Sequence, residues 1–300
     1  MNFIVSVFTV LAAFASESPQ APFNLAACRN FYPPDGPFYH GEVKGSPRAP
    51  DRPLRVVSYN VNFAKDMKNL LTDFSKVPTL AGADVVLLQE VEGHPGANDS
   101  AARVFAKLLG MSYVFAPAEV FTKHKADYGN AILSRFPITR WRKIVLPLSN
   151  FEDCNQRIAL QATIDVDGRE LELFSVHLST LFKDSAGKEP SRARQLAPVM
   201  EAVDQVPAGR PILITGDLNT VNPFGWWAVR KLTRAHGLKD AHLQDVQTFR
   251  IPPFHLDHMF SRGLCTVKAG VEKDAEGSDH YPIWSELTVD GGNDQCPAQQ

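Results

Sequence analysis

Six short polar clusters in this chain each follow or open an apolar run, and their side chains are those of acid–base and metal chemistry. Near the C-terminus, Gly277-Ser278-Asp279-His280-Tyr281-Pro282 places an imidazole beside acids, and Leu256-Asp257-His258-Met259-Phe260 supplies another carboxylate upstream. One histidine oriented by one aspartate suffices for general acid–base catalysis near neutral pH. Four other runs end in the same style. Residues 54–62 end in Asn60 and Asn62, residues 84–91 in Gln89-Glu90, residues 171–178 in His177, and residues 211–219 in Gly216-Asp217-Leu218-Asn219. Any one of these reads as a cap, a turn or a satisfied core histidine. A whole series with this layout is hard to explain as turns.

Each cluster has its own chemistry. An unpaired carboxylate at the end of an apolar strand, as at Glu90, is costly to bury. A divalent cation supplies the missing counter-charge, and hard oxygen donors suit Mg²⁺ or Mn²⁺. Asp217 and Asn219 stand at i and i+2, so both side chains leave an extended segment on one side, and Gly216 permits close backbone approach.

Strands and helices in alternation must position these groups. Helical spacing predicts helices over 65–80, 99–109, 191–206 and 223–236, the second opened by the capping residues Asn98-Asp99-Ser100. Residues 157–166 and 170–176 flank Asp167-Gly168 and predict a β-hairpin. Tyr128-Gly129-Asn130-Ala131-Ile132-Leu133-Ser134 reads as a strand with a glycine bulge, from which Asn130 is a candidate site residue. Arg157, Arg192 and Arg194 are candidates for contacting an anion. Arg140-Trp141-Arg142-Lys143 reads as a solvated basic face.

The 300 residues, 44% of them hydrophobic, suit one large α/β domain. Thirty-one basic residues against 33 acidic ones leave a net charge of −2, without the basic excess that marks nonspecific backbone binding to nucleic acid. Residues 3–15 form an apolar run too short to span a bilayer, closed by Ala13-Phe14-Ala15, and read as a signal peptide cut after Ala15. Secretion, or release into a periplasm, is the expectation. A second reading takes Leu25-Ala26-Ala27-Cys28 as a lipid-anchoring site. The expected organisation is a signal peptide (1–15), an extended arm (16–53), a domain (54–289) and a tail (290–300). Cys28, Cys154, Cys265 and Cys296 allow three disulfide pairings. Sequence does not choose among these pairings; a bridge between Cys28 and Cys296, which flank the catalytic region, is the guess. No transmembrane span is expected.

The series Asn-x-Asn, Gln-Glu, His-Leu, Gly-Asp-x-Asn and Ser-Asp-His, in this order from about residue 55 to about residue 287, resembles the endonuclease/exonuclease/phosphatase superfamily. The resemblance implies an α/β, four-layer sandwich of two mixed β-sheets packed face to face and flanked by helices. It implies hydrolysis of a phosphoester by a metal-assisted water, with Glu90 as principal ligand of Mg²⁺ (or Mn²⁺) and Asn62 completing or supporting the inner sphere. One or two metals remain possible. By the same resemblance Asn60 positions substrate, Asp217 and Asn219 orient the water and bind a phosphate oxygen, and His177 donates to the phosphoryl group. His280, oriented by Asp257, is the acid or base, with Asp279 an added ligand or phosphate-side group. Either His280 or Asp217 could take the water's proton. His258 is set aside, because the family pattern follows its aspartate with an aromatic or apolar strand.

The expected protein is a monomeric, secreted, nuclease-like phosphodiesterase. The alternative is a sphingomyelinase-like enzyme acting on a phospholipid head group, then a sugar or inositol phosphatase. A non-catalytic binding module is the reading outside enzymes, against which the intact site residues count. Phe224, Trp226 and Trp227 are candidates for a membrane-docking surface, but their helical spacing favours core packing.

Overall fold

The computed structural model describes residues 30–43, 52–148, 155–180, 191–221, 223–242 and 246–289. The signal peptide, Cys28, Cys154, Cys296 and the 290–300 tail lie outside them. Among the described residues the strands are β1 (Tyr39–Gly41), β2 (Leu54–Asn60), β3 (Val85–Gly93), β4 (Ser112–Phe121), β5 (Ala126–Ser134), β6 (Ile138–Val145) and β7 (Ile158–Val166). They continue with β8 (Arg169–His177), β9 (Ile212–Asp217), β10 (Lys239–Asp240), β11 (Asp257–Arg262), β12 (Leu264–Val271) and β13 (Ile283–Val289). The helices are α1 (Met67–Lys76), α2 (Pro78–Ala81), α3 (Ala101–Leu109), α4 (Ser191–Asp204) and α5 (Pro223–Ala235).

Two mixed sheets result, ordered β1-β4-β5-β3-β2-β13-β12 and β10-β11-β9-β8-β7-β6. Period-two alternation explains why they stack. On β2, Leu54 and Val56 enter one apolar cluster while Val57 and Tyr59 enter another; on β8, Leu171 and Leu173 share the first cluster while Phe174 and Val176 enter a third. The shared cluster joins Val85, Leu87 and Ile132 of one sheet to Leu160, Leu213 and Met259 of the other. The second cluster covers the outer face of the seven-stranded sheet with Leu70 and Phe74 of α1 and Phe105 of α3. The third covers the outer face of the six-stranded sheet with Leu196, Val199 and Val203 of α4 and Val229 of α5. Three apolar interfaces between four layers make the α/β/β/α sandwich that the resemblance implied.

Local signals behave as their chemistry requires. Ser100 caps α3 by accepting from Arg103 N at 3.3 Å, and Gly110 closes it in the left-handed region. The helix expected over 65–80 is broken: Val77 is extended and Pro78 opens a separate short turn, because proline suits a first helical position and disfavours an interior one. The β7–β8 hairpin turns on Asp167 (φ 52°) and Gly168 (φ 85°), the pair of positive φ angles that matches strand twist. Residues of the N-terminal arm are stitched to the seven-stranded sheet: β1 pairs with β4, and Tyr32 and Tyr39 both donate to the carboxylate of Asp127. Lys143 is no solvated cation; it is buried beneath this arm and donates to the carbonyls of Pro33 and Gly36. Burial lowers its pKa to about 8.

Candidate active site

The site begins where the residues between the two sheets change from apolar to polar. On β8 the inward series runs Leu171, Leu173, Ser175, His177; on β9 it runs Leu213, Thr215, Asp217. Parallel pairing of these strands sets His177 opposite Asp217, and antiparallel pairing sets Asp217 opposite Asp257. From the other sheet, β2 brings Ser58 and Asn60 to the same end beside Gln89 of β3. Gln89 Nε2 reaches Ser175 Oγ at 3.1 Å and so ties the sheets together beneath the site.

Two backbone devices aim the groups. The β3–β5 register shifts between Leu88 and Val91, and Glu90 has φ 55°, so a bulge turns its carboxylate into the mouth. Gly216 has φ 147°, and a Cβ there would stand 1.9 Å from the carbonyl oxygen of Val176. Only glycine lets β9 lie close enough to β8 to bring Asp217 to His177.

Asp217 is the hub. Its Oδ2 lies 3.1 Å from Asn60 Nδ2, 3.5 Å from His177 Nε2 and 3.7 Å from His280 Nε2, and its Oδ1 accepts from Asn219 N at 2.9 Å. Burial of this carboxylate pushes its pKa up to about 7, with the Asp257 and Glu90 carboxylates adding to the rise. His280 Nδ1 lies 2.8 Å from Asp257 Oδ2. Burial disfavours the charged ring, but the carboxylates of Asp257 and Asp217 outweigh it and raise His280 to about 10. Asp257 is fixed in turn by strand pairing and by Thr248 Oγ1, which accepts its N–H at 3.1 Å.

His177 is the opposite case. Burial, then the charges of Arg157 and His280, depress its pKa well below the ordinary value. Arg157 Nη1 donates to His177 Nδ1 at 3.0 Å and to Tyr128 Oη at 2.6 Å. Arg157 Nη1 also lies 3.2 Å from His177 Nε2, and it is the carboxylates of Asp217 at 3.5 Å and Glu90 at 3.8 Å that favour a proton on Nε2 of the neutral ring.

The remaining candidates separate. Asn219 has φ 50° and donates from Nδ2 to Leu178 O, which leaves one amide N–H for a further partner. Asn62 lies at the mouth with φ 45°, its N–H donating to Asn60 Oδ1 and its Oδ1 accepting from Lys65 Nζ at 2.8 Å. Asn130 is buried and bridges the sheets, donating to Ile158 O and Ser175 O. Asp279 is exposed beside His280 and accepts from Ser278 Oγ at 3.3 Å. His258 points to the outer face, where its Nε2 hydrogen-bonds with Thr220 Oγ1 and its ring stacks on Trp226 with ring centroids 4.1 Å apart. Of the arginines, Arg192 is buried and braces the loop by donating to Asn219 O and Ser179 O, while Arg194 donates to Leu148 O at the surface.

Two residues join the site that the polar clusters did not single out as a pair, Tyr128 and Arg157. Tyr128 precedes Asn130 by two residues on the same face of β5, one step nearer the mouth. Strand parity was the signal for it. Arg157 immediately precedes β7 and donates to Tyr128 Oη.

The profile of the Endonuclease/Exonuclease/phosphatase family matches residues 57–280. The chain belongs to this family. Escherichia coli (strain K12) YbhP is 26% identical over 257 residues, covering 78% of this chain and 96% of YbhP. An endonuclease/exonuclease/phosphatase structure from Beutenbergia cavernae DSM 12333 superposes with a TM-score of 0.62 at 22% identity, covering 81% of this chain and 73% of that one. D. rerio TDP2 complexed with a single-strand DNA product has a TM-score of 0.58 at 16% identity, covering 79% and 100%. At these identities the structural likeness carries the fold alone. Members of the family are generally phosphoester hydrolases that use divalent metals.

The donor set here fits such an ion. Glu90 is a partly exposed carboxylate whose pKa is raised, first by burial, and then held down by Arg157, His280 and the Asn60 amide. Glu90 and the amide oxygen of Asn62 are hard donors of the kind Mg²⁺ accepts while keeping several waters. Among the described residues no cluster of three or more His, Cys, Asp or Glu side chains forms an all-protein metal cage.

Proposed function

We propose that this protein is a Mg²⁺-dependent phosphodiesterase in which Asp217 takes the proton of the attacking water. The observation that carries the reading is the convergence of Asn60, His177 and His280 on one carboxylate oxygen of Asp217, from both sheets. A carboxylate raised to about 7 is a base matched to neutral pH. His280, held to about 10, is already protonated there and serves as charge stabiliser and proton donor, not as the base. The Nε2–H of His177, favoured by the neighbouring Asp217 carboxylate, faces the developing charge on the phosphoryl oxygens. Glu90 and Asn62 would hold the cation, which when bound supplies Lewis-acid polarisation of a phosphoryl oxygen and a more acidic water.

Charge favours a diester over a monoester. Among the described residues Arg157 is the one arginine or lysine that touches the His177–Tyr128 group, whereas Glu90, Asp217 and Asp257 are all carboxylates. A monoanionic diester is less repelled than a dianionic monoester. Export from the cytosol belongs to the same reading and is supported by Cys265, which is disulfide-bonded. The test is hydrolysis of bis-p-nitrophenyl phosphate against p-nitrophenyl phosphate in Mg²⁺. Preferential, Mg²⁺-dependent turnover of the diester is expected; preference for the monoester would overturn the diester assignment.

A further inference from the structure

The three most exposed large apolar side chains among the described residues are Ile251 (85%), Phe224 (82%) and Trp227 (64%). They do not scatter. Phe224 and Trp227 stand in the first turns of α5, which starts four residues after Asn219. Ile251 tops the loop whose Phe249 meets His280 edge-on, with ring centroids 4.8 Å apart. Both segments therefore leave the active site at the same strand ends.

The helix sorts its aromatic residues by face. Trp226 and Arg230 lie one turn apart, Trp226 stacked on His258 and Arg230 paired with Asp240 at 3.0 Å. Phe224, Trp227 and Lys231, at i, i+3 and i+7, share another stripe. Lys231 Nζ lies 5.2 Å from the centroid of the Trp227 ring. Among the described residues Lys231 has no carboxylate partner, whereas Arg230 and Arg234 both spend their charge on Asp240.

We propose that Phe224, Trp227 and Ile251, with Lys231, form a docking surface for a phospholipid membrane, so that the active site meets a phosphodiester head group at the bilayer surface. Rings of this kind, joined to a lysine on an apolar stem, partition into the head-group region, where the apolar body is buried and the charge meets lipid phosphate. Stacking on nucleic acid is less consistent with the surface. It offers one unpaired cation, and the chain carries a net charge of −2, whereas backbone binding needs several free cations. This inference rests on the phosphodiesterase reading for its substrate but not for its binding.

The full mature chain would be sedimented with phosphatidylcholine vesicles and with vesicles that also contain phosphatidylserine, in parallel with a single-stranded DNA binding assay. Phe224→Ser/Trp227→Ser is expected to weaken vesicle binding at least about tenfold. Its circular dichroism spectrum and its turnover of soluble bis-p-nitrophenyl phosphate should stay unchanged. Lys231→Glu should weaken binding most on the anionic vesicles, and Trp227 emission should shift to the blue on vesicle addition. Wild-type protein that ignores both vesicles, or a double variant that binds them equally well, would overturn the docking surface. So would a double variant that loses only DNA binding. Vesicle binding without any diester turnover would instead sink the phosphodiesterase reading and leave the docking surface standing.

Discussion

His280 Nδ1 and Asp257 Oδ2 are 2.8 Å apart, and the proposed division into acid and base rests on that contact. In the proposed mechanism Asp257 keeps His280 protonated across the neutral range, which leaves Asp217, whose own carboxylate burial has raised, as the proton acceptor.

The pH–rate profile should therefore be a bell. Activity rises as Asp217 ionises, through about 7 before any cation is counted, and falls as His280 loses its proton near 10. A bound divalent cation moves the acid limb lower, because positive charge favours the carboxylate. Asp257→Asn removes the charge that raises His280, so the alkaline limb should drop by about 1–3 pH units. An alkaline limb unmoved in that variant would dissociate it from His280.

Lys65 Nζ and a metal ion would compete for Asn62 Oδ1, where the lysine donates at 2.8 Å. Lys65→Met should tighten Mg²⁺ binding several-fold by calorimetry, and Glu90→Ala should abolish it. Equal affinity in Lys65→Met and wild type would mean that Asn62 stays outside the metal site.

In the proposed mechanism Arg157 positions His177 and transfers no proton. Arg157→Met frees His177 Nδ1 and Tyr128 Oη, and also removes a charge that depresses the His177 pKa. We expect kcat to fall about 10–10²-fold and the His177 pKa, followed by NMR, to rise. Arg157→Lys should rescue the charge but not the planar fork, and so only part of kcat.

Gly216→Ala is the stability test of the site's backbone. The new Cβ would collide with Val176 O while holding φ 147°. A loss of about 3 kcal/mol or more is expected in urea unfolding, beyond ordinary overpacking of a core. A variant within about 1 kcal/mol of wild type would show that β9 can slide away from β8.

Much of this architecture was legible in the residues, and the exceptions have physical reasons. Asn60, His177, Asp217 and Asp257 could be found because each continues the inward parity of a strand after its apolar residues run out. Glu90 breaks that parity through a bulge, yet its charge at the end of an apolar run marked it. Sequence did not choose between His280 and Asp217 as base, and the proposal for Asp217 rests on the separation of Asp257 from His280, which sequence does not give. Asn130 drew notice for its amide, but that amide is spent on Ile158 and Ser175 carbonyls, while Tyr128 on the same face meets Arg157 and His177. Helical spacing suggested core packing for Phe224, Trp226 and Trp227. Trp226 alone of the three packs inward among the described residues, because α5 turns that ring toward His258 and leaves Phe224 and Trp227 exposed.

The most direct test is the turnover of bis-p-nitrophenyl phosphate by Asp217→Asn at saturating Mg²⁺. The amide preserves the shape of the hub but cannot take a proton. A fall in kcat of about 10²–10⁴-fold, together with loss of the acid limb, is expected. Activity within about threefold of wild type, with the acid limb intact, would contradict Asp217 as the base and return that role to another group.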